Sequence, residues 1–373
     1  MMKKILIPSY IVLLILFTIF SYLFIDQNLF FLKSLYSGFS NHHREITALI
    51  YLVFISTFFL FFFLFLKNVS KINLKLLIII TSVVLFFSYP ATLSYDIFNY
   101  VETSRVLFKY HENPYLVMPG ELRNDPYLIF TRATNKTALY GPFWIGVTGI
   151  PYFLGIGNFI LTLFSFKVLS LLSYLGISWL IFKITKDKLS VAIFSLNPLV
   201  IIESLVSAHN DAFMMFFALL SFYLLSKKRF ISSSIFLALS ILVKFASLIL
   251  LPIYLFTLLK LLRHEEISLK NIYKVSALLL IFMVLISFIR EEIYPWYAIW
   301  FIPFAALIPN TKWLRNISVG FSFGLLLSYL PYIYLGYYGN LNLILRTVFI
   351  FTPVFISVLF NFYKGLWAKS LGQ

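Results

Sequence analysis

The fold is decided by stretches such as residues 46–66, which read ITALIYLVFISTFFLFFFLFL and contain no charged side chain. A helix needs about 20 consecutive, mainly apolar residues to cross the roughly 30 Å hydrocarbon core of a bilayer. Similar blocks recur along the chain, of which 61% is hydrophobic and 12% is charged. An ordinary soluble domain has roughly 25% charged residues. The sequence therefore predicts an integral membrane protein.

About twelve apolar stretches are long enough, or nearly long enough, to be membrane helices. They are Ile5–Ile25, Ile46–Leu66, Leu74–Tyr89, Phe159–Phe182, Leu189–Val206, Ala212–Leu225, Phe230–Leu242, Phe245–Leu259, Val275–Ile289, Pro295–Ile308, Ile317–Leu335 and Leu341–Tyr363. The alternation typical of membrane β-strands is absent from the sequence. The predicted fold class is an all-α polytopic membrane protein with about twelve (11–13) helices, some of them short because they are tilted or packed inside the bundle. We expect one domain over residues 1–373 and an uncleaved first helix, because no small-x-small cleavage site follows it.

The net charge of +16 has two contrasting explanations, nucleic-acid binding and orientation in a membrane. If the first helix runs outward and Phe143–Gly155 does not fully cross, the whole basic excess falls in loops on one side. Cytoplasmic loops carry such an excess. If Phe143–Gly155 crosses fully, later loops change sides and Lys227, Lys228 and Arg229 lie outside, which the charge bias disfavours. We therefore predict cytoplasmic termini and no nucleic-acid partner.

Residues 91–142 form the one long polar stretch in the sequence, and long ordered loops are usually functional. We expect a partly helical loop on the outer face. It opens with SYDIFNY at residues 94–100, whose aromatic rings are typical of a short interfacial helix. Asp96 is thereby predicted at the membrane surface. The simpler explanation of this residue is a helix N-cap or a partner for Arg105.

Ionisable and polar groups near membrane depth form a second set of candidates, because they are costly there and tend to mark function. His209, Asn210 and Asp211 interrupt two apolar runs and predict either a site for hydroxyl groups or a helix cap. Lys244 suits a phosphate as a compact cation, although it is equally able to extend harmlessly to the surface. Glu203 precedes His209 by about one turn and is a candidate partner for His209 or Lys244.

Another predicted outer corner contains Arg290-Glu291-Glu292 followed by Tyr294-Pro295-Trp296-Tyr297. An aromatic belt with a surface ion pair explains this corner most simply. Arg290 is alternatively a ligand for a phosphate. The chain has no cysteine, so disulfides, thiolate metal sites and cysteine nucleophiles are excluded.

An ordered set of short motifs covers about residues 90–255. Its members are Ser94-Tyr95-Asp96, Asn99-Tyr100, Asn113-Pro114-Tyr115, Tyr140-Gly141-Pro142, Asn197-Pro198-Leu199-Val200, His209-Asn210-Asp211, and Val243-Lys244-Phe245 with Pro252. Together they resemble the GT-C class of membrane glycosyltransferases, and most closely the polyprenyl-phosphate-mannose-dependent α-1,6-mannosyltransferases of bacterial envelopes. The resemblance implies a lipid-linked sugar donor, an outer active site and an aspartate base, matched here by Asp96. In many relatives the aspartate loop follows the first span, whereas here two more spans precede it.

The predicted function is transfer of a sugar, mannose or another hexose, from a polyprenyl-phosphate carrier to an envelope glycan or glycolipid, with inversion at the anomeric carbon. Asp96 is the predicted base, and the predicted substrate ligands are Tyr95, Asn99, Tyr140, His209, Asn210, Asp211, Lys244 and Arg290. Since a lipid phosphate is already an adequate leaving group, we expect no obligatory metal or other cofactor. The alternatives are a transporter or flippase of lipid-linked glycans, disfavoured because the two halves show no repeat, and a membrane scaffold.

Overall fold

In this computed structural model, residues 2–26, 28, 29, 38–290 and 292–370 are described, with side chains for 5–26, 28, 29, 38–289 and 292–362. Helices and turns make up these residues, and no strand occurs among them, which confirms the all-α fold class. The helices are α1 (Met2–Ser21), α2 (Phe39–His42), α3 (Arg44–Lys67), α4 (Leu74–Phe86), α5 (Asp96–Phe108), α6 (Pro142–Val147), α7 (Gly149–Leu154), α8 (Phe159–Thr185), α9 (Lys188–Ser195), α10 (Pro198–Ile201), α11 (Asp211–Ser226), α12 (Phe230–Val243), α13 (Leu251–Leu262), α14 (Leu269–Arg290), α15 (Ala298–Ala306), α16 (Lys312–Leu327), α17 (Leu330–Leu335) and α18 (Asn340–Ser370).

Within the described ranges, seven helical segments are long and apolar enough to cross a membrane. They are Ile5–Phe24, Arg44–Lys67, Phe159–Thr185, Phe245–Leu262, Leu269–Ile289, Lys312–Leu335 and Asn340–Phe362. The count rises to eight if Lys188–Ser195 and Pro198–Val206, which meet at a bend of 56°, form one broken span. Four further apolar helices have 10–17 residues: Leu74–Phe86, Pro142–Leu154, Asp211–Ser226 and Phe230–Val243. The chain is therefore a multi-pass helical protein, and about twelve crossings stays a prediction.

The segment predicted as a span over Pro295–Ile308 is buried along its whole length. It forms a 3-10 turn, Pro295–Tyr297, and the short helix α15, and every residue of both is buried. Helix α15 packs against α11, α14 and α16. A helix that is hydrophobic on all sides lies in the core of a protein as readily as in lipid. The apolar run thus marks the centre of the bundle.

The long connection between α4 and α6 is ordered. It contains α5 and two 3-10 turns, Pro119–Glu121 and Leu128–Phe130. The Arg105 guanidinium donates a 2.6 Å bond to Asp125, and Tyr110 donates to the same carboxylate at 2.8 Å. Although burial alone would raise it, these bonds hold the pKa of Asp125 below its usual value. Arg105 is therefore paired with Asp125. This excludes the explanation of Asp96 as a partner for Arg105.

The connection over residues 91–142 and the basic loops lie at opposite ends of the bundle. Phe159, at the start of α8, stacks on Phe130 of the connection with ring centroids 4.2 Å apart. Helix α8 has 27 residues, which corresponds to roughly 40 Å at 1.5 Å per residue. At its far end, a groove brings Lys67 and Arg315 together beside Leu189. The two ends therefore have contrasting chemistry.

Candidate active site

The chain leaves regular helix geometry just before the polar motif at residues 209–211. Ile202–Val206 forms a π-helical turn, a feature that often lies at functional sites. Ala208 then adopts a positive φ of 56°, and the His209 amide donates a 3.0 Å bond to the Glu203 carbonyl. This irregular backbone turns the His209 side chain into the bundle, where the side chain is completely buried.

Asn210 binds a side chain of α5 and does not cap the helix that follows it. It occupies the N-cap position of α11, but its side chain makes no capping hydrogen bond. Its Oδ1 instead accepts a 3.3 Å bond from the buried Tyr100 hydroxyl. The Asn210 Nδ2 group is buried without a hydrogen-bond partner among the described residues. The motif thus joins α5 to α11, and the side-chain amide nitrogen of Asn210 remains available to donate hydrogen bonds.

His209 lies between two carboxylates. Its Nδ1 is 3.6 Å from Asp96 Oδ2, and its Nε2 is 3.3 Å from Glu203 Oε2. Glu203 is held from the other side by the Tyr329 hydroxyl, which donates a 3.0 Å bond to Oε1. The imidazole ring stacks on Trp296 with centroids 4.0 Å apart. Of the two partners that the sequence offers for Glu203, the structure therefore selects His209.

Asp96 differs from the other acidic groups of the site in its exposure. Its side chain is 29% exposed, whereas the side chains of Glu203 and Asp211 are completely buried. Burial raises the pKa of Asp96 above its ordinary value, and the nearby His209, Lys244 and Asn99 side chains oppose that shift. Asp96 is thus a partly accessible carboxyl group that holds a proton more readily than an aspartate in water.

A second cluster surrounds the Asp211 carboxylate. Lys244 Nζ donates a 2.9 Å bond to Asp211 Oδ1, and Trp300 Nε1 donates a 2.5 Å bond to the same atom. Lys244 Nζ also lies 5.0 Å from the Tyr297 ring centroid. The Lys244 backbone is extended between α12 and the 3-10 turn Phe245–Leu250, so its side chain, 22% exposed, points into the site instead of along a helix.

Tyr140 reaches the site because the next residue is glycine. The Gly141 amide donates a 3.0 Å bond to the Val243 carbonyl, and a Cβ at residue 141 would lie 2.1 Å from the Leu242 carbonyl oxygen. The Tyr115 hydroxyl donates a 2.8 Å bond to the Tyr140 carbonyl. These bonds join the motifs at residues 113–115, 140–142 and 243–245.

The Tyr140 ring borders the group that contains Asp96. It packs edge-on against Tyr100, with centroids 5.0 Å apart. The Asn99 side chain interacts with both the Tyr140 hydroxyl and the Asp96 carboxylate. Burial raises the pKa of Tyr140 far above its usual value, so this phenol keeps its proton and is available as a hydrogen-bond donor.

Two predicted site residues do not join this group. The Tyr95 ring lies under the Arg132 guanidinium, 4.9 Å from it, and lines a neighbouring cavity. Arg290 ends α14, and its side chain lies outside the described residues, so its contact with a phosphate stays a prediction. Glu292, from the same corner, pairs with Arg346.

Two site residues, Trp296 and Trp300, were missed by the sequence analysis, which placed Tyr294-Pro295-Trp296-Tyr297 in an aromatic belt. Instead, Trp296 stacks on His209 and Trp300 binds Asp211. Both side chains are buried. An indole N–H needs a partner when it is buried, and this requirement next to nearby acidic residues is the one signal that could have suggested a role.

No group of three or more histidine or acidic side chains in the described part of the chain is arranged to hold a metal ion. The site contains Asp96, Glu203, Asp211 and His209, but their nearest partners are one another, Lys244 and Trp300. Our expectation that activity requires no metal stays a prediction.

The fold and the site together define a polytopic helical membrane protein with carboxylates, an imidazole and a lysine gathered at one end of its bundle. The chain belongs to the alpha-(1->6)-mannopyranosyltransferase family, because the model of that family's N-terminal domain matches residues 13–260. The match includes the acidic groups, the histidine and the lysine of the site, Asp96, Glu203, His209, Asp211 and Lys244, and it confirms the predicted resemblance. The protein is thus a membrane glycosyltransferase of a mannosyltransferase family. Neither the curated proteins nor the solved structures contain a match to it.

Proposed function

We propose that the protein transfers mannose from a polyprenyl-phosphate carrier to a hydroxyl group of a glycan or glycolipid, with Asp96 as the general base. The exposure of the acidic groups carries this proposal. Asp96 is partly accessible, whereas Glu203 and Asp211 are sealed inside the bundle. A base must come within hydrogen-bond distance of the hydroxyl that it deprotonates. Among these three carboxylates, Asp96 meets that requirement.

In the proposed reaction, the Asp96 carboxylate takes the proton of the acceptor hydroxyl. The acceptor oxygen forms a bond to the anomeric carbon of the sugar, while the bond from that carbon to the phosphate oxygen breaks. The lipid phosphate leaves with the electron pair, and one direct displacement inverts the anomeric centre. Lys244 stabilises the negative charge that develops on the phosphate, the role that a positioned cation performs in group transfer.

The neighbours of Asp96 support its role as the base. His209 Nδ1 lies 3.6 Å from the Asp96 carboxylate. The imidazole is itself packed between Glu203, 3.3 Å from Nε2, and the Trp296 ring on which it stacks. A rigid base keeps its carboxylate oriented towards the acceptor, and correct orientation contributes strongly to catalysis. The raised pKa of Asp96 also brings the group closer to neutral pH, where a general base is most effective.

We further propose that the site faces the outer side of the membrane and that both termini are cytoplasmic. The basic groups Lys67 and Arg315 line a groove at the opposite end of the bundle, and the positive-inside rule assigns such groups to the cytoplasm. On this proposal the broken helix pair, the run at 295–308 and the shorter apolar helices other than Pro142–Leu154 complete a bundle of about twelve crossings. Residues 91–142 then form an outer loop. Membrane lipids, the lipid-linked donor and the acceptor are then the partners of the protein.

The direct test is reconstitution of the purified protein with radiolabelled polyprenyl-phosphate mannose and α-1,6-mannobiose. We expect labelled trisaccharide to form with the wild-type chain and to be lost with Asp96→Asn. Asp187→Asn is a matched control, because Asp187 caps α9 at the basic end of the bundle and its side chain accepts bonds from Leu189 and Ser190. Asparagine preserves an N-cap, so this control should retain wild-type transfer.

Two outcomes would contradict the proposal. Full turnover by Asp96→Asn would remove Asp96 as the base. Movement of the labelled lipid across the vesicle membrane, with no new glycosidic bond, would favour a transporter or flippase. Addition of a chelator to the wild-type reaction tests in the same assay whether transfer requires a metal ion. We expect no loss of activity.

A further inference from the structure

A polar cavity of about 320 Å³ lies beside the candidate active site, and none of the reaction steps above uses it. It is bounded by the segment after α1, the start of α3, the residues just before Asp96, and α17 with Tyr329. The lining groups that matter here are Asp26, Asn28, Arg44, Tyr95, Arg132 and Tyr329. Neither Lys244 nor Asp211 lines it. The cavity is therefore separate from the predicted phosphate ligand.

One wall of the cavity is built from groups that hold each other in place. Asp26 is 6% exposed, and its Oδ1 accepts bonds of 2.9 Å from both the backbone amide and the side-chain amide of Asn28. Its Oδ2 lies 3.7 Å from Arg132 Nη2. The Arg132 guanidinium in turn lies over the Tyr95 ring. An acid, an amide, a guanidinium and an aromatic ring thus face one small volume.

The cavity adjoins the proposed base through two of its walls. Tyr95 immediately precedes Asp96, whose amide donates a 3.3 Å bond to Ser94 Oγ. Tyr329 lines the cavity and binds Glu203, the residue that supports His209. The wall of the cavity therefore includes the residue next to Asp96 and a direct partner of Glu203.

We propose that this cavity binds the terminal sugar of the acceptor, with Asp26 and Arg132 holding its hydroxyl groups and Tyr95 contacting a face of its ring. This inference rests on the proposed function, because the acceptor hydroxyl must reach Asp96. Fixed carboxylate, amide and guanidinium groups offer the paired donors and acceptors that neighbouring sugar hydroxyls require. The Asp26–Arg132 pair lets the wall bind an uncharged ligand without an unpaired charge.

The size of the cavity limits the part of the acceptor that it accommodates. Ligand pockets have volumes of roughly 300–1,000 Å³, and this cavity is at the small end of that range. It suits one or two sugar units better than an extended glycan. The remainder of the acceptor would then lie outside the cavity, in solvent or along the membrane surface.

The test compares Arg132→Gln with Arg123→Gln in steady-state transfer to α-1,6-mannobiose. The Arg132 side chain is 60% exposed and Arg123 is exposed in the same connection, so both variants should fold. We expect Arg132→Gln to raise the KM for mannobiose at least fivefold while the KM for the lipid donor and kcat stay within twofold. Arg123→Gln should match the wild type. Asp26→Asn, checked for folding by gel filtration, should repeat the Arg132 result.

Binding measured without the donor separates this inference from the proposed function. Saturation-transfer NMR should detect mannobiose on the wild-type protein and a weaker signal with Arg132→Gln. If the wild type binds mannobiose through Arg132 but transfers no mannose, the cavity assignment stands and the proposed function fails. If transfer occurs and Arg132→Gln behaves like Arg123→Gln, or if only the donor KM rises, the cavity does not hold the acceptor.

Discussion

Asp96 and Asp211 both begin a helix at the candidate active site, but their carboxylates have different partners. Asp96 is the first residue of α5 and Asp211 the first residue of α11. Asp96 is partly exposed and lies next to His209. Asp211 is sealed from solvent, and a single oxygen accepts bonds from Lys244 and Trp300.

Local structure does not explain this difference. Each carboxylate lies at a helix N-terminus, where the helix dipole favours negative charge to a similar degree. The difference comes from tertiary partners that are distant in the sequence, above all Lys244 and Trp300. A carboxylate that is buried and bonded to a lysine positions that side chain through a charge-assisted hydrogen bond. A carboxylate that is open on one side and lacks a direct cation partner can exchange a proton with a substrate.

The largest expected effect comes from replacing each aspartate by asparagine, which keeps the shape and removes the charge. Asp96→Asn should lower mannosyl transfer by about 10²–10⁴-fold, the range that general bases contribute. Its thermal unfolding temperature should be unchanged or higher, because burial already disfavours the ionised form of Asp96. Transfer assays and unfolding of the same detergent-solubilised samples measure both effects.

Asp211→Asn should show the opposite balance. It removes a charge-assisted hydrogen bond with Lys244, an interaction worth about 1.5–3 kcal/mol, so the unfolding temperature should fall. Transfer should decrease less than with Asp96→Asn, because Lys244 keeps its charge. Equal losses of activity and stability in the two variants would show that the two carboxylates do not have distinct roles.

The next largest effect concerns Lys244, the cation that Asp211 positions. Lys244→Met should lower kcat by about 10²–10³-fold, the range caused by removing one group that stabilises transition-state charge, and should also weaken donor binding. Lys260→Met is the matched control, since Lys260 pairs with Glu265 in a partly exposed contact away from the site. Steady-state kinetics with varied lipid donor measure the effect. An unchanged kcat would exclude Lys244 as the phosphate ligand.

The pH dependence of transfer gives a smaller effect, but the direction of that effect is defined. Asp96 acts as a base only when ionised, so transfer should fall as the pH decreases through its raised pKa. This acid limb should lie above about 3.9, the ordinary value for aspartate. Lys244 lowers the pKa of Asp96 and Asp211 raises it. Lys244→Met should therefore move the limb to higher pH and Asp211→Asn to lower pH.

Profiles of kcat/KM against pH for the wild type and the two variants measure this shift. The direction of each shift is the critical result. A merely structural disturbance has no reason to move the acid limbs of the two variants in opposite directions. Shifts in the same direction would show that the acid limb reports a group other than Asp96.

The sequence predicted much of the fold because long apolar blocks such as residues 46–66 have few structural alternatives. The prediction is less informative where an apolar run is buried inside the protein and does not face lipid. The run at 295–308 was predicted as a span and an aromatic belt, and the prediction did not include the contacts of its tryptophans with His209 and Asp211. Hydropathy does not distinguish the centre of a bundle from its lipid-facing surface.

In the candidate site too, the sequence predicted some features and not others. His209, Asp211 and Lys244 were predicted because a polar group within an apolar run is conspicuous in the sequence. The pairing of Lys244 with Asp211, and of His209 with Glu203, was not fixed by the sequence. It depends on the π-helical turn at Ile202–Val206 and on the extended backbone at Lys244, which no local pattern in the chain marks.

The close contact between Gly141 and the backbone before Lys244 gives the mildest of these variants. Gly141→Ala would place a methyl group 2.1 Å from the Leu242 carbonyl oxygen, so the backbone that carries Tyr140 and Lys244 must separate. Overpacking of this kind costs about 1–3 kcal/mol. Gly146→Ala is the matched control in the next turn, because a Cβ there meets nothing within 4 Å. We expect Gly141→Ala to lower the unfolding temperature and raise the donor KM severalfold, whereas Gly146→Ala changes neither. If the donor KM is the same for both alanine variants, the contact between residues 141 and 243 contributes only to stability and does not position Lys244.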